Sequence, residues 1–302
     1  MVPGKYEQLR ALLRSFGSCL VAYSGGVDSA FLAYVARDVL GSKALAAIAD
    51  TPSLPRRELA GALALAEQFH FPVRVVHPRE FANPDYLANP NNRCYFCKHE
   101  LFAELAPLAR AEGLAVIAYG ENASDVGDFR PGAQAAAEFQ VRAPLKETGL
   151  TKTDIRQLSA QLGLPTADKP QMACLSSRVP YGEAVTPEKL SMIERAEYVL
   201  RDLGFFDVRV RHHELVAGSR LQVAGSQPEA GSPKPATFNF QPSTSLHLAR
   251  IEVGPAEMRK LLENGASAKV AEALKKIGYT HVTLDLQGYR RGSANERLKA
   301  EG

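Results

Sequence analysis

A glycine-rich hexapeptide near the N-terminus has the residue types of an anion-binding turn. The string SGGVDS (residues 24–29) lies between a short apolar run and a segment with apolar residues at helical spacing. Its two glycines let the backbone approach an anion closely, and the following helix offers free N–H groups and the positive end of its dipole. A Gly-Gly pair alone is a weak signal, and the lysine of the GxxxxGK[ST] phosphate loop is absent.

The cysteines are a second group of residues that could take part in chemistry. Four cysteines in 302 residues are too few for a disulfide scaffold. Cys94 and Cys97 form a Cys-x-x-Cys pair, predicted to lie in a loop, and Cys174 precedes another loop. Such a pair is also half of a structural zinc site, although a closed zinc site requires four ligands. Three thiolates around an iron–sulfur cluster would leave one iron open to sulfide or substrate, as sulfur transfer requires. Cys19, at the start of a buried strand, is predicted to be a core residue.

Basic residues near these motifs suit an acidic ligand. Arg209 and Arg211 alternate along a predicted strand and therefore point to the same face, and Lys98 and Arg178 flank the cysteines. Fixed cations in such positions bind phosphate and carboxylate groups. A solvated charged face is the alternative for the two strand arginines. The adjacent histidines His212-His213 are predicted to be solvated or hydrogen-bonded rather than metal ligands.

The elements that position these residues alternate between strand and helix in the first half of the chain. Strands are predicted at Cys19–Tyr23, Ala44–Ala49, Val73–Val76 and Ala115–Tyr119, and helices at Asp28–Leu40, Pro55–Phe69, Lys98–Glu112 and Lys152–Leu162. This alternation implies right-handed crossovers, so we predict an α/β fold with a doubly wound parallel sheet. Ligands of such sheets bind at the carboxyl ends of the strands. The polar stretch 83–92 is predicted to be a surface loop.

A smaller α+β domain is predicted for residues 183–302, after a first domain of residues 1–182. Thr186 is the expected N-cap of a helix at Pro187–Leu203. Residues 216–244 are rich in glycine, serine and proline, so they are predicted to form an insertion or flexible loop. Strands are expected at Val208–His212, His247–Val253 and His281–Leu286, with a helical region at Pro255–Ile277.

The composition restricts the class of protein. A hydrophobic fraction of 45% with 23% charged residues is ordinary for a globular protein. A net charge of +3 is too small to indicate a nucleic-acid partner. No apolar run is long enough to span a bilayer, and the N-terminal segment lacks a signal-peptide core. We therefore expect a cytoplasmic protein that does not enter the membrane.

The hexapeptide, at a strand-to-helix junction, resembles the signature of the ATP pyrophosphatase (PP-loop) superfamily. That resemblance implies that ATP is split between its α and β phosphates, with Mg²⁺ bridging phosphate oxygens. It also implies that the backbone of Ala47–Asp50 holds adenine. The residues that would hold pyrophosphate are Ser24, Gly25, Gly26, Asp28 and Ser29.

Several longer strings, spread over almost the whole chain, resemble the LarE-type sulfur transferases. These are pyridinium biscarboxylic acid mononucleotide sulfurtransferases of nickel-pincer nucleotide biosynthesis. The resemblance departs between His213 and Leu248, where the family pattern runs almost directly from one strand into the next. The strings, besides SGGVDS, are TPSLPRREL (51–59), NRCYFCK (92–98), DFRPG (128–132), DKPQMACLSSRVPYG (168–182), VRVRHH (208–213) and LARIEV (248–253).

The LarE resemblance implies that ATP adenylates a substrate carboxylate and that sulfur then replaces oxygen, giving a thiocarboxylate. The family implies one of two sulfur sources: either Cys174 gives up its own sulfur, or the three cysteines hold a [4Fe-4S] cluster that passes on sulfide from a donor. Cysteines at all three positions favour the cluster. The family also implies a homohexamer. The residues that would bind the mononucleotide are Lys98, Arg178, Glu197, Arg209, Arg211, Arg250 and Glu252.

Two other functions are compatible with these motifs. Similar PP-loop enzymes thiolate tRNA bases, and some carry a three-cysteine cluster. The modest charge and the lack of a separate basic RNA-binding domain argue against that reading. A module that binds ATP or metal without chemistry is the second alternative, and substrate-dependent pyrophosphate release would exclude it.

Overall fold

The computed structural model describes residues 2–125, 131–170, 173–216 and 245–290. None of the helices within these ranges has the length and apolar character needed to cross a membrane. The helices are α1 (Val2–Phe16), α2 (Val27–Leu40), α3 (Arg56–Gln68), α4 (Pro84–Leu87), α5 (Arg93–Ala111), α6 (Pro131–Glu138), α7 (Pro144–Glu147), α8 (Lys152–Gln161), α9 (Pro187–Asp202), α10 (Met258–Leu262) and α11 (Ala266–Ile277). The strands are β1 (Cys19–Tyr23), β2 (Ala44–Ala49), β3 (Val73–Val76), β4 (Val116–Tyr119), β5 (Val208–Val216), β6 (Ser245–Val253) and β7 (His281–Leu284).

Strands β1 to β4 form a parallel sheet in the order β3-β2-β1-β4. Val21 of the central strand β1 pairs with Ala46 of β2 and with Ala118 of β4. Every residue of β1 is buried, because helices cover both faces of a parallel sheet and leave no solvated side. The predicted α/β class with a parallel sheet is confirmed.

Alternate residues of β1 enter two different hydrophobic clusters. Cys19 and Val21 pack in one cluster with Phe31 of α2, whereas Leu20 belongs to a second cluster with Phe102 of α5. Successive side chains of a strand point to opposite faces, so these clusters are the two layers that enclose the sheet. Helices on both faces hold the strand ends in place, and the loops that carry the candidate chemistry begin there.

The chain divides into two compact units, Met1–Ser177 with Ala184–Leu190, and Arg178–Glu183 with Ser191–Gly302. In the second unit β5 and β6 are antiparallel and β7 is parallel to β6. Their core includes Val208, Val210, Ile251 and Leu274. The predicted domain boundary after residue 182 stays a prediction. The predicted insertion lies outside the described residues, except that Val216 ends β5.

Several strands and helices begin or end at residues other than those predicted. Strand β5 continues to Val216 instead of ending at His212, because a nine-residue antiparallel ladder with β6 extends the pairing. Strand β7 ends at Leu284, two residues before the predicted end. The predicted helical region 255–277 contains two α-helices, α10 and α11, with Gly265 in the left-handed conformation (φ 70°) directly before α11.

The predicted loop position of the cysteine pair is wrong. Helix α5 begins at Arg93 rather than at Lys98, so Cys94 and Cys97 lie in its first two turns. The Arg93 side chain is buried and donates to the backbone carbonyl of Ser176 at 3.1 Å. This contact links residues 83 positions apart, so the local turn-like sequence gave no sign of it.

The stretch before α5 is not a surface loop either. It contains the short helix α4, whose Tyr86 is buried. The side chain of Asn83 accepts hydrogen bonds from the backbone N–H groups of Asp85 and Tyr86, at 3.0 and 3.4 Å. In the dipeptide Asn83-Pro84, the asparagine therefore caps α4 and the proline occupies the first helical position. The same two residue types are also common in turns, so the sequence did not distinguish the two structures.

Candidate active site

The SGGVDS turn connects β1 to α2 at the carboxyl edge of the parallel sheet. Gly25 has φ +72°, and a Cβ at this position would lie 2.7 Å from the Cβ of Ala62. Gly26 is the N-cap residue of α2, and a Cβ there would meet only Ser24 Oγ at 3.5 Å. Gly25 is thus required by the fold. The protein itself leaves room for a side chain at Gly26, so an incoming anion gives a reason for the glycine that packing does not.

Two serines close the turn on itself. The Ser24 N–H donates to Ser29 Oγ at 3.1 Å, and the two hydroxyl oxygens lie 3.0 Å apart. Ser29 Oγ also donates to the carbonyl of Gly26 at 3.2 Å. These bonds fix the backbone of the turn before any ligand arrives, a preorganisation that favours tight binding.

Asp28 and Lys152 form an ion pair beside the turn. Lys152 Nζ, on the first residue of α8, lies 2.6 Å from Asp28 Oδ2. Burial raises the pKa of Asp28, and the hydrogen bond from Lys152 opposes that rise. Asp28 Oδ1 is buried and has no hydrogen-bond partner among the described residues. An unsatisfied carboxylate oxygen of this kind suits a hard cation such as Mg²⁺.

A second lysine holds the turn from the other side. Lys169 Nζ donates to the carbonyl oxygen of Gly25 at 3.0 Å and pairs with Glu58 Oε2 at 2.7 Å. Gly120, directly after β4, allows a close backbone approach, since a Cβ there would lie 2.9 Å from the backbone nitrogen of Ser29. Two lysines from separate parts of the chain, Lys152 and Lys169, thus contact the turn, and Gly120 packs closely against it.

The segment predicted to hold adenine lies at the end of β2. The Asp50 N–H donates to the carbonyl of Val76 at 2.8 Å, so the register of β2 with β3 continues one residue beyond Ala49. The Asp50 carboxylate pairs with Arg56 of α3. Adenine binding at Ala47–Asp50 stays a prediction.

The three predicted cysteines all belong to the first unit. After burial and Glu80, the charges of Cys174 and Cys94 also raise the pKa of the Cys97 thiol, so both of those cysteines lie within electrostatic range of Cys97. Cys94 and Cys174 are exposed and Cys97 is half-buried, and no disulfide joins any of the four cysteines, all of which lie in the described ranges. Cys94, in the first turn of α5, is near the positive end of the helix dipole, which favours a thiolate. Cys19 is fully buried in the core, as predicted, and burial raises the pKa of its thiol to about 12.

Glu80 is the nearest carboxylate to Cys97, and sequence reasoning missed it. The Cys97 thiol donates to Glu80 Oε2 with Sγ at 3.6 Å. Burial, followed by the charge of Glu80, raises the pKa of the Cys97 thiol well above its ordinary value, while Lys98 lowers it. Lys98 Nζ itself lies over the ring of Phe102, 5.8 Å from the centroid.

The turn that follows Cys174 is held by buried polar groups. Leu175 donates its N–H to the carbonyl of Ser53 at 2.8 Å, and Ser53 Oγ donates to Glu80 Oε1 at 2.7 Å. The Tyr86 hydroxyl lies 2.7 Å from Ser176 Oγ. Residues after β2, after β3 and before α5 thus fix the backbone beside Cys174. Buried and fully hydrogen-bonded networks of this kind set a unique local geometry.

Glu80→Gln is expected to speed alkylation of Cys97 in cluster-free protein. Glutamine keeps an acceptor for Ser53 but removes the negative charge that opposes formation of the Cys97 thiolate. The rate is measured with iodoacetamide at mildly alkaline pH and resolved by peptide mapping. Glu112→Gln, an exposed carboxylate at the end of α5, is the matched control and should leave the rate unchanged. Slower or unchanged alkylation in Glu80→Gln would contradict this account of the thiol.

In the second unit, Arg178 and Glu197 form a fully buried ion pair. Arg178 Nε and one terminal nitrogen lie 2.8 and 3.1 Å from the two carboxylate oxygens of Glu197. Arg201 approaches the same carboxylate at 3.2 Å. Burial alone would raise the pKa of Glu197, but Arg178 and the neighbouring arginines hold that pKa below its ordinary value.

Arg209 lies beside this pair. Its guanidinium donates to the carbonyl of Val208 at 2.7 Å and lies 4.9 Å from the ring centroid of Tyr289. Burial and the positive charge of Arg178 lower the pKa of Arg209. An additional anion at this position would relieve the repulsion between the two guanidinium groups.

Arg211 makes a bidentate pair with Glu252, with both N–O distances at 3.0 Å. Arg250 also approaches Glu252, at 3.4 Å, and pairs with Asp285. Arg209 and Arg211 are both buried, so the alternative of a solvated charged face is wrong. In the ladder between β5 and β6, Arg209 is opposite Glu252 and Arg211 is opposite Arg250. Glu252 is therefore a diagonal neighbour of Arg211 on the same face, close enough for the ion pair.

The site residues that sequence reasoning missed are those whose partners lie far along the chain. Lys152 and Asp28 are 124 residues apart, and Lys169 and Gly25 are 144 residues apart. Glu80 follows a short strand and has no motif around it. Residues 128–130 of the DFRPG string and Met172 lie outside the described residues.

Comparison with known proteins indicates which family this chain belongs to. No family model matches the chain. The chain is 41% identical over 298 residues to an uncharacterized protein of Synechocystis sp., covering 99% of both. It is 30% identical over 296 residues to the pyridinium-3,5-bisthiocarboxylic acid mononucleotide synthase of Lactiplantibacillus plantarum, covering 97% of this chain and 95% of that relative. An uncharacterized protein of Methanocaldococcus jannaschii is 27% identical over 198 residues.

The chain belongs to the LarE-type family, the family of the pyridinium-3,5-bisthiocarboxylic acid mononucleotide synthase. The resemblance inferred from the sequence strings is confirmed at that level.

Proposed function

We propose that this chain is an ATP-dependent sulfurtransferase of nickel-pincer nucleotide biosynthesis. It adenylates a carboxylate of pyridinium-3,5-biscarboxylic acid mononucleotide and replaces oxygen by sulfur. The observation that carries the proposal is a preorganised glycine turn combined with three cysteines within electrostatic range of one another at Cys97, in one unit built on a parallel sheet. Family membership supports the choice of substrate, because the relative from L. plantarum is named for the bisthiocarboxylic acid product.

The SGGVDS turn takes the role of a PP-loop in this proposal. Its backbone N–H groups and the start of α2 hold the β and γ phosphates, and Lys152 adds positive charge beside them. Asp28 Oδ1 fits a Mg²⁺ ligand, and the ion would neutralise charge on the phosphates when bound.

The reaction has two displacements. A substrate carboxylate oxygen attacks the α phosphorus, the bond from that phosphorus to the bridging oxygen breaks, and pyrophosphate leaves. A sulfur nucleophile then attacks the carbonyl carbon of the adenylate, and AMP leaves with the carboxylate oxygen. The protein holds the leaving pyrophosphate at the turn and delivers sulfur from the cysteine side, so the two displacements use different residues.

Cys94, Cys97 and Cys174 would hold a [4Fe-4S] cluster. The donor set fits, because three interacting thiols leave one iron without a protein ligand, and that open iron would bind sulfide from a donor. The charge of Glu80 opposes a thiolate at Cys97, and bound iron would offset this opposition. Cys174 is exposed and is also the residue that would give up its own sulfur in the alternative route.

The buried arginines of the second unit would bind the phosphate and carboxylates of the mononucleotide. Arg209 is the strongest candidate, since burial and Arg178 lower the pKa of its guanidinium despite the opposing charge of Glu197, and a bound anion would favour the charged form further. Arg178, Glu197, Arg250 and Glu252 hold the surrounding guanidinium groups in fixed positions.

Arg209→Ala is expected to weaken binding of the mononucleotide by roughly 1.5–3 kcal/mol, the scale of a charge-assisted hydrogen bond, with ATP affinity unchanged. Arg211→Ala should instead lower the free energy of unfolding by about 3–5 kcal/mol, because it leaves the buried Glu252 without its bidentate partner. Calorimetric titration and urea unfolding separate the two effects. Equal losses of ATP and mononucleotide affinity in Arg209→Ala would argue against this assignment.

The proposed function is tested by pyrophosphate release in the presence of ATP, Mg²⁺ and the mononucleotide. Release should require the mononucleotide, and mass spectrometry of the product should show sulfur in place of oxygen. Release stimulated by tRNA, or independent of any acceptor, would reject the proposal. The homohexamer implied by the family stays a prediction that sedimentation analysis can test.

A further inference from the structure

Two histidines and a glutamate converge near one end of the β5–β6 ladder. His212 and Glu214 alternate along β5, and Glu214 is directly opposite His247 of β6, so all three side chains lie on one face. Arg209 and Arg211 occupy the odd positions of β5 and therefore lie on the other face. The histidine face has no part in the proposed sulfur transfer.

The spacing of these side chains matches a metal site. One ligand atom from each residue lies within 4.8 Å of the others. His212 Nε2 and His247 Nδ1 are 3.2 Å apart. Two nitrogen ligands of a tetrahedral zinc ion, each at about 2.0–2.1 Å, are separated by about 3.3 Å. The two imidazoles thus already have the separation that zinc requires.

The surroundings orient the first ligand. His212 Nδ1 lies 3.2 Å from the Tyr279 hydroxyl, a contact that can fix the ring and direct Nε2 toward His247. Metal-bound histidines commonly use their second nitrogen in this way. His212 is buried, His247 half-buried and Glu214 exposed, so the site opens to solvent on the glutamate side, where water can complete the coordination.

We propose that His212, Glu214 and His247 form a zinc site. In the metal-free protein the two facing imidazole nitrogens are at hydrogen-bond distance, and Zn²⁺ would take the place of that hydrogen bond. Imidazole and carboxylate ligands suit Zn²⁺, whereas Mg²⁺ and Ca²⁺ prefer oxygen ligands alone. The sequence predicts that His212 is solvated or hydrogen-bonded rather than a metal ligand, and the proposed zinc site departs from that prediction.

The site would join β5 to β6 two rungs from the end of the ladder. Glu214 and His247 are paired two positions before Val216 and Ser245, the last pair of the ladder. Bound zinc would keep the two strands together at the point where the chain leaves the sheet. It is therefore a structural site, independent of the proposed sulfur transfer, and it is tested by metal binding rather than by activity.

The test is a zinc titration of the full-length chain carrying Cys94→Ser, Cys97→Ser and Cys174→Ser, which removes competing thiolates. Competition with a chromophoric chelator should show one Zn²⁺ per chain, and excess Mg²⁺ should not displace it. Glu214→Gln and His247→Ala should each weaken binding by at least ~10-fold. His281→Ala, an exposed histidine on β7 of the same unit, is the matched control and should bind as the parent does.

Circular dichroism establishes that each variant is folded. Glu214 is exposed, so Glu214→Gln reports on the site even if His247→Ala unfolds. Co²⁺ titration of the wild-type chain is a second measurement, since thiolate ligands give intense near-ultraviolet bands and histidine ligands do not. The proposal is overturned if the serine background binds no zinc, or if neither Glu214→Gln nor His247→Ala weakens binding.

Discussion

Replacing Cys94, Cys97 or Cys174 by alanine is expected to reduce sulfur transfer to the background rate. A cluster held by three thiolates becomes labile when one is removed, so each variant should also lose the broad iron–sulfur absorbance of anaerobically prepared protein. Cys94 and Cys174 both lie within electrostatic range of Cys97, as a shared cluster requires. Iron and sulfide analysis and multiple-turnover assays provide the measurements.

Cys19→Ala is the matched control. This cysteine is fully buried in the core, and its high thiol pKa excludes it from thiolate chemistry, so turnover and absorbance should both survive. The route in which Cys174 is the donor gives another pattern. There only Cys174→Ala is inactive, and the spent protein loses the mass of H₂S as the side chain becomes dehydroalanine. Iron-free protein that shows this mass loss and tolerates Cys94→Ala would establish Cys174 as the sulfur source.

Gly26→Val and Asp28→Ala are expected to abolish pyrophosphate release, with a loss of at least ~100-fold. A valine at residue 26 would stand where the anion must approach the N–H groups of the turn. The Cβ of that valine would meet only Ser24 Oγ, at 3.5 Å. Folding should therefore survive, as measured by thermal unfolding, while an assay of pyrophosphate reports the loss. Activity retained in Gly26→Val would rule out phosphate binding at this turn.

Gly25→Ala provides the contrast to Gly26→Val. At Gly25 a side chain is strained by the positive φ and meets Ala62 at 2.7 Å, so this variant should lose stability as well as activity. Asp28→Asn offers a further comparison. Because burial raises the pKa of Asp28, its ionised form opposes folding once the pH exceeds the ordinary carboxyl pKa. Near neutral pH, Asp28→Asn should therefore stabilise the ligand-free protein while it lowers activity.

The sheet could be predicted from the sequence because its strands are short apolar runs. Cys19–Tyr23 and Ala44–Ala49 were predicted to the residue, since parallel strands buried on both faces have few alternatives. The glycine turn could also be predicted, because its position between a strand and a helix depends only on neighbouring residues. The arginine pair on β5 was predicted to share a face, which depends only on the period of a strand.

The geometry around the cysteines could not be predicted in the same way. The polar character of residues 83–92 predicts a surface loop, whereas Asn83 caps a helix and α5 begins at Arg93. What decides the outcome is the burial of the Arg93 guanidinium against Ser176, a contact that no local pattern specifies. Glu80 is similar, because its importance comes from folding beside Cys97 and Ser53.

The β5–β6 ladder can accommodate connections of different length between its two strands. Its last pair joins Val216 to Ser245, so the two ends of the intervening segment are already neighbours across the ladder. The entropic penalty of a longer connection grows only slowly with its length. Residues can therefore be added to or removed from this connection at a small energetic cost, while the ladder keeps Arg209 opposite Glu252.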